Sequence, residues 1–150
     1  MASEFNIQLI PHEEMESIIP LVYETNKRKI APELLKSRLK DMLKMDCYEC
    51  AGVYDDKELI GICGIWILNK FYVGKHIEPD NVFIKEAYRS QGIGELLLNW
   101  VCNYAKEIGC KAAEVNFYAS NIKGRKFWER QGFEPVAFHG IKTFNKKENE

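Results

Sequence analysis

The chain has 150 residues, 46% of them hydrophobic and 29% charged, which suits one domain with a core of its own rather than a disordered or stapled chain. A formal net charge of −1 supplies no basic field for nucleic acid. The longest apolar run, Leu59 to Leu68, is far short of the roughly 20 residues that cross a membrane.

In chain order, Asn6 to Ile10 reads as a short strand, and Glu13 to Tyr23 as a helix kinked at Pro20, with Met15, Ile18, Ile19 and Val22 on one face. A second helix opens near Pro32, a favoured first-turn residue, and turns Leu35, Leu39, Met42 and Leu43 inward. Tyr48 to Tyr54 and Leu59 to Leu68 form a hairpin through the turn DDKE. A further strand ends in Asp80 to Ile84, and the loop KEAYRSQG leads to a helix from Ile93 to Ile108 that Gly109 terminates. Ala113 to Tyr118 alternates apolar and polar, so Asp80 to Tyr118 is a strand, helix, strand unit whose two strands run parallel. Asn121 caps a short helix closed by Gly132, FEPVAFHGIKTF returns as strand, and residues 145–150 are a solvated tail.

The opening MASEFNIQLI has no basic segment ahead of an apolar one, so no secretory signal is read there and a cytoplasmic location is expected. Five cysteines, an odd number without framework spacing, fit reduced core thiols. The pair Cys47 and Cys50 sits in a strand pattern, whereas a redox C-x-x-C needs a helix start and a zinc site needs a second pair. His12, His76 and His139 are scattered and read as surface or turn residues, so no metal is expected.

The stretch AYRSQGIGELLLNW concentrates the chemistry. A helix start leaves its first N–H groups without partners and is electropositive, so it attracts anions. Gly92 and Gly94 remove the Cβ atoms that would hold a phosphate away, and Arg89 and Gln91 flank the turn. Taken alone, two glycines serve equally as a plain turn, but the position between the carboxyl end of a strand and the amino end of a helix favours a ligand. A dinucleotide fingerprint would need glycine where Leu97 stands, and no P-loop lysine follows.

Two blocks instead resemble the GNAT family of N-acetyltransferases: Arg89-Ser90-Gln91-Gly92-Ile93-Gly94 directly after VFI, and Asn121 followed by FWERQGF from Phe127 to Phe133. The resemblance implies an α/β fold, a single domain over residues 1–150 with a mixed, mostly antiparallel sheet splayed at a central parallel strand pair and flanked by helices. It implies acetyl-CoA as cosubstrate. The pyrophosphate would lie on N–H groups from Gln91 to Glu95, with Arg89, Ser90, Gly92, Ile93 and Gly94 forming the turn. The pantetheine arm would pair with Val82, Phe83 and Ile84 like an added strand. Asn121 would reach the arm, or act only as a helix cap, and Lys126 with Arg125 would meet phosphates or merely solvent. The reaction implied is acetyl transfer to a primary amine in a ternary complex, with a catalytically weak acyl-CoA-binding domain as the alternative. Asp80 is the candidate base, Glu78 the reserve, and an exposed strand-entry carboxylate the plainer reading of either. Many relatives carry a tyrosine acid where this chain has Trp128, and an indole is too weak an acid to replace it. Tyr118 or water is then the proton donor, although Tyr118 also reads as edge packing. Expected partners are a small-molecule or peptide amine acceptor and a second copy in a homodimer, with no nucleic acid and no membrane.

Overall fold

The computed structural model describes residues 4–145, so residues 146–150 of the expected tail lie outside the described residues. The first strand, β1, spans Phe5–Leu9. The single helix expected next is two: a 3₁₀ helix over His12–Ile18 and then α1, Ile19–Thr25. Pro20 stands in the first turn of α1, where its missing N–H costs no intrahelical bond. Helix α2 covers Pro32–Leu43 and buries Leu35 and Leu39, one turn apart on the same face.

Strands β2 (Tyr48–Asp55) and β3 (Glu58–Lys70) pair antiparallel around a turn whose Asp56 has φ 55°. Asp tolerates that left-handed region better than most residues. Strand β4, Gly74–Ile84, pairs antiparallel with β3 and parallel with β5, a two-residue strand at Ala112–Ala113. Between them runs α3, Ile93–Glu107, and α4 follows at Ile122–Arg130. The sheet order is β1-β2-β3-β4-β5, mixed and mostly antiparallel as expected.

Its two faces carry separate apolar clusters. On one face Ile10, Met15, Cys50 and Ile62 cluster with Leu21 of α1 and Leu39 of α2. On the other Ala51, Val53, Ile65 and Ile77 cluster with Leu97 and Val101 of α3. Burying both faces explains why β2 and β3 read as nearly continuous apolar runs instead of clean alternations.

Two expectations for the C-terminal third are corrected. The ladder expected over Ala113 to Tyr118 ends at Ala113, followed by one more bond from Glu114 N–H to the Ile77 carbonyl. The return strand expected in FEPVAFHGIKTF is not formed: residues 133–145 carry no ladder, and Val136, Phe138, Ile141 and Phe144 are exposed. At that end of the sheet β5 offers an edge of only two residues for the segment to join, and Pro135 removes one donor. The parallel pair therefore stands at the edge of the sheet, not at its centre.

Candidate functional site

The glycine turn is held from below. A 3₁₀ turn over Glu86–Tyr88 leads out of β4, and the Tyr88 hydroxyl donates to Asp55 Oδ2 at 2.6 Å while Lys85 Nζ meets Glu58 Oε2 at 3.3 Å. That bond to the Asp55 carboxylate pushes the Tyr88 phenol up to about 12. The loop is thus clamped to the β2–β3 hairpin. Ser90 at φ 64° and Gly92 at φ 78° turn the chain left-handed on either side of Gln91, so that Gly92 caps α3 with no side-chain acceptor. The first backbone bond of α3 runs from Leu96 N–H to Gly92 O, which leaves the N–H groups of Ile93, Gly94 and Glu95 outside that helical ladder, at the positive end of the dipole.

The two glycines have different reasons. A Cβ on Gly92 would meet nothing within 4 Å, so the left-handed backbone is what requires glycine there. A Cβ on Gly94 would lie 3.5 Å from the Phe127 ring, an ordinary contact. Arg89 does not lie over the turn. Its Nε donates to Ile84 O at 2.8 Å and its guanidinium stands 5.0 Å from the centroid of Phe83, tying the start of the turn to the end of β4.

Beside the turn, β4 loses its parallel neighbour. Beyond Ile77 it pairs with β3 only, so Val82, Phe83 and Ile84 face an open flank on the β5 side. Within that open stretch lies a β-bulge that the sequence reading missed. Register passes from Gly64↔Asp80 to Ile62↔Phe83, one residue more on β4 than on β3, and Asn81 inside that step has φ 52°. Asn81 Oδ1 also accepts from Asn26 Nδ2 at 3.2 Å, which fastens the loop after α1 to the bulge. In the same loop, residues 26–29, Arg28 is paired to Glu24 at 2.7 Å.

The candidate carboxylates line the α1–α2 side of the sheet. Asp80, exposed, accepts from the Trp66 indole Nε1 at 3.1 Å through Oδ2. Glu78 Oε2 is shared by His76 Nε2 at 3.0 Å and Lys70 Nζ at 3.4 Å. His76, read from sequence as a surface or turn residue, is wholly buried, as is Ile77 on the opposite face, because both faces of β4 are covered at this point. Beneath Asp80, Gly64 lets the Tyr48 hydroxyl approach: a Cβ there would be 2.8 Å from it. Burial pushes the Tyr48 phenol far up, so it stays protonated.

The C-terminal candidates lie farther out. Tyr118 is 84% exposed beyond β5. Asn121 Oδ1 accepts from Gly124 N–H at 3.0 Å, the capping role. Lys126 is exposed, and Arg125 is paired to Glu129 at 2.9 Å. Trp128 is buried edge-on between Phe127 and Phe133, with centroids 5.3 and 5.2 Å away, which makes it a packing residue. Cys50 lies inside β2 with its thiol pushed up to about 12 by burial, the opposite of a reactive cysteine.

Comparison with known proteins follows the same lines. The profile of the acetyltransferase (GNAT) family matches residues 13–133. N-acetyltransferase aca1 of Schizosaccharomyces pombe is 33% identical over 75 residues, 48% of this chain and 36% of that protein. A putative ribosomal protein bS18-alanine N-acetyltransferase of Bacillus subtilis is 30% identical over 80 residues, 53% of this chain and 50% of that protein. The chain thus spans half or less of the length of these two relatives. Among solved structures, the ribosomal-protein-alanine N-acetyltransferase from Brucella melitensis biovar Abortus 2308 superimposes with a TM-score of 0.78 at 18% identity, over 94% of this chain and 99% of that one. An aminoglycoside N-acetyltransferase in complex with CoA gives 0.78 at 16% identity, over 93% and 95%. These identities carry the fold alone. The family match, however, runs from the first helical segment to the end of α4 and takes in the bulge, the open flank and the glycine turn, so the chain belongs to the acetyltransferase (GNAT) family.

Proposed function

We propose that the chain transfers an acetyl group from acetyl-CoA to a primary amine by direct attack in a ternary complex. The observation that carries the reading is the conjunction of three helix-start N–H groups, at Ile93, Gly94 and Glu95, with a neighbouring strand whose flank is open. The first suits a diphosphate and the second an extended chain of amides, and acetyl-CoA holds the two in one molecule. The solved relative with CoA supports the same cosubstrate.

Attack needs the amine neutral. Asp80 gives one oxygen to Trp66 and keeps the other for a water that takes the amine proton, whereas the Oε2 of Glu78 is already engaged by His76 and Lys70. The C–N bond then forms as the thioester carbonyl becomes an oxyanion, backbone N–H groups near Ile84 donate to that oxygen, and the carbonyl re-forms as the C–S bond breaks. The departing thiolate takes a proton from Tyr118 or from water. The buried Trp128 supplies no acid, which is what favours the second reading, an acyl-CoA-binding domain with little turnover. Asp80, exposed beside the open flank, puts a carboxylate on the acceptor side, which suits an amine that arrives as a cation. A screen of primary amines, including peptides with a free N-terminus and aminoglycosides, with acetyl-CoA and mass spectrometry tests this. A product heavier by one acetyl group is expected; CoA binding with no acetylated product from any amine would leave the second reading.

A further inference from the structure

One cluster is left over from acetyl transfer. Where β4 and β5 part, His76, Glu78 and Glu114 converge: His76 Nε2 is 3.0 Å from Glu78 Oε2 and 3.9 Å from Glu114 Oε1, and the three ligand atoms all lie within 4.8 Å of one another. We propose that this cluster is a divalent-cation site, suited to zinc, that clips β4 to the segment after β5.

The histidine is what makes the cluster more than a pair of surface acids. Its side chain is wholly buried, and Nδ1 lies 3.1 Å from the Gly74 carbonyl, which can only accept. With Nδ1 facing an acceptor, Nε2 is the ring nitrogen left to ligate. A divalent ion held between Nε2 and the two carboxylates would take the place of the hydrogen bond that otherwise joins Nε2 to Glu78. A carbonyl on the far ring nitrogen is also the outer support that metal-binding histidines use, and Glu114 has its own, the Tyr72 hydroxyl donating to Oε2.

The donor set is one imidazole and two carboxylates. Ligand atoms about 2.0–2.2 Å from a tetrahedral zinc are roughly 3.3 Å apart, and the two measured separations bracket that value. Two carboxylates with a neutral imidazole neutralise a dication. Glu78 and Glu114 are only half-buried, so solvent reaches their carboxylates and a water can serve as fourth ligand, while Lys70, 3.4 Å from Glu78 and partly exposed, is the cation that a metal ion would displace. The clip falls at the last rung between the two strands, Glu114 N–H to Ile77 O, next to the open flank.

The test uses the full chain stripped with chelator, titrated with ZnCl₂ by calorimetry, with thermal unfolding alongside. One ion per chain, a rise in Tm, and a loss of roughly 10–100-fold or more in affinity in Glu114→Gln are expected. Glu114 is half-buried, so the variant keeps the fold, and Tyr72→Phe, at an exposed residue, should weaken binding in the same direction. Cobalt in place of zinc should show no thiolate absorption. No stoichiometric binding at micromolar zinc, unchanged affinity in Glu114→Gln, or a cobalt–thiolate band would each overturn the proposal. None of these readouts depends on turnover.

Discussion

Gly94→Glu separates stability from cofactor binding, because the structure sends the two in opposite directions. Residue 94 is the second position of α3, and a Cβ there makes only an ordinary contact at 3.5 Å with Phe127. Replacing glycine inside a helix gains up to about 1 kcal/mol, and an acid in the first turn gains about 0.3–1 kcal/mol from the dipole. The variant should therefore unfold at the wild-type temperature or above it. A diphosphate on the same N–H groups would meet the new carboxylate at contact distance. Two like charges about 4 Å apart near a protein surface cost about 4 kcal/mol, or about 10³-fold in affinity. Calorimetric titration with CoA and a thermal melt of the same sample check both halves. A folded Gly94→Glu chain that binds CoA with wild-type affinity would remove the phosphate from this turn. Gly92→Glu is the less clean companion, because at φ 78° any side chain also costs about 1–2 kcal/mol of backbone strain.

Asp80→Asn should lower kcat by roughly 10²-fold or more with little change in acetyl-CoA affinity, and the deficit should shrink at high pH, where the amine deprotonates unaided; a pH–rate profile on one accepted amine measures it. Tyr118→Phe should lower the maximal rate while sparing CoA binding, and an unaffected rate assigns the proton to solvent. Trp128→Tyr should lower Tm, a shape change in a packed cluster costing about 1–3 kcal/mol, without raising turnover, which a melt and one rate measurement decide. Burial raises Cys50 to about 12 and raises Cys63 and Tyr48 as well, so the native state favours their neutral forms. Their stabilisation is complete below the unfolded thiol pKa of about 8.5 and is lost as pH rises through the folded values, so Tm should fall above pH 9, less steeply in Cys50→Ala.

The parts of the site that follow from local backbone chemistry were legible in the sequence. Gly92 and Gly94 before an apolar helix fix a bare helix start, and Asn121 ahead of IKGRKFWERQ fixes a cap, because each depends on residues a few positions apart. The His76 cluster was not legible, since Glu114 reaches it from the segment just after β5, 36 residues beyond Glu78, and metal-ligand spacing within one element does not reveal it. The C-terminal return failed for a related reason. The alternation of Val136 and Phe138 meets the local rule for a strand, but a strand exists only with a partner edge, and β5 offers two residues of one.

The bulge is the instructive case, because the sequence carried its signal. Along HIEPDNVFI the inward positions under α3 are odd at Ile77 and even at Val82 and Ile84, while Phe83 turns to the α1–α2 side. A strand of strict period two cannot change parity, so one residue must be extra between 79 and 82. Asn81 is the residue there that best tolerates a left-handed backbone, and it has φ 52°. The inserted residue that flips the parity lies in the stretch of β4 that has already left β5. The base candidate Asp80, the open flank of Val82 to Ile84 and the glycine turn beyond them thus follow one another along a single stretch of chain, with the bulge set between acid and flank.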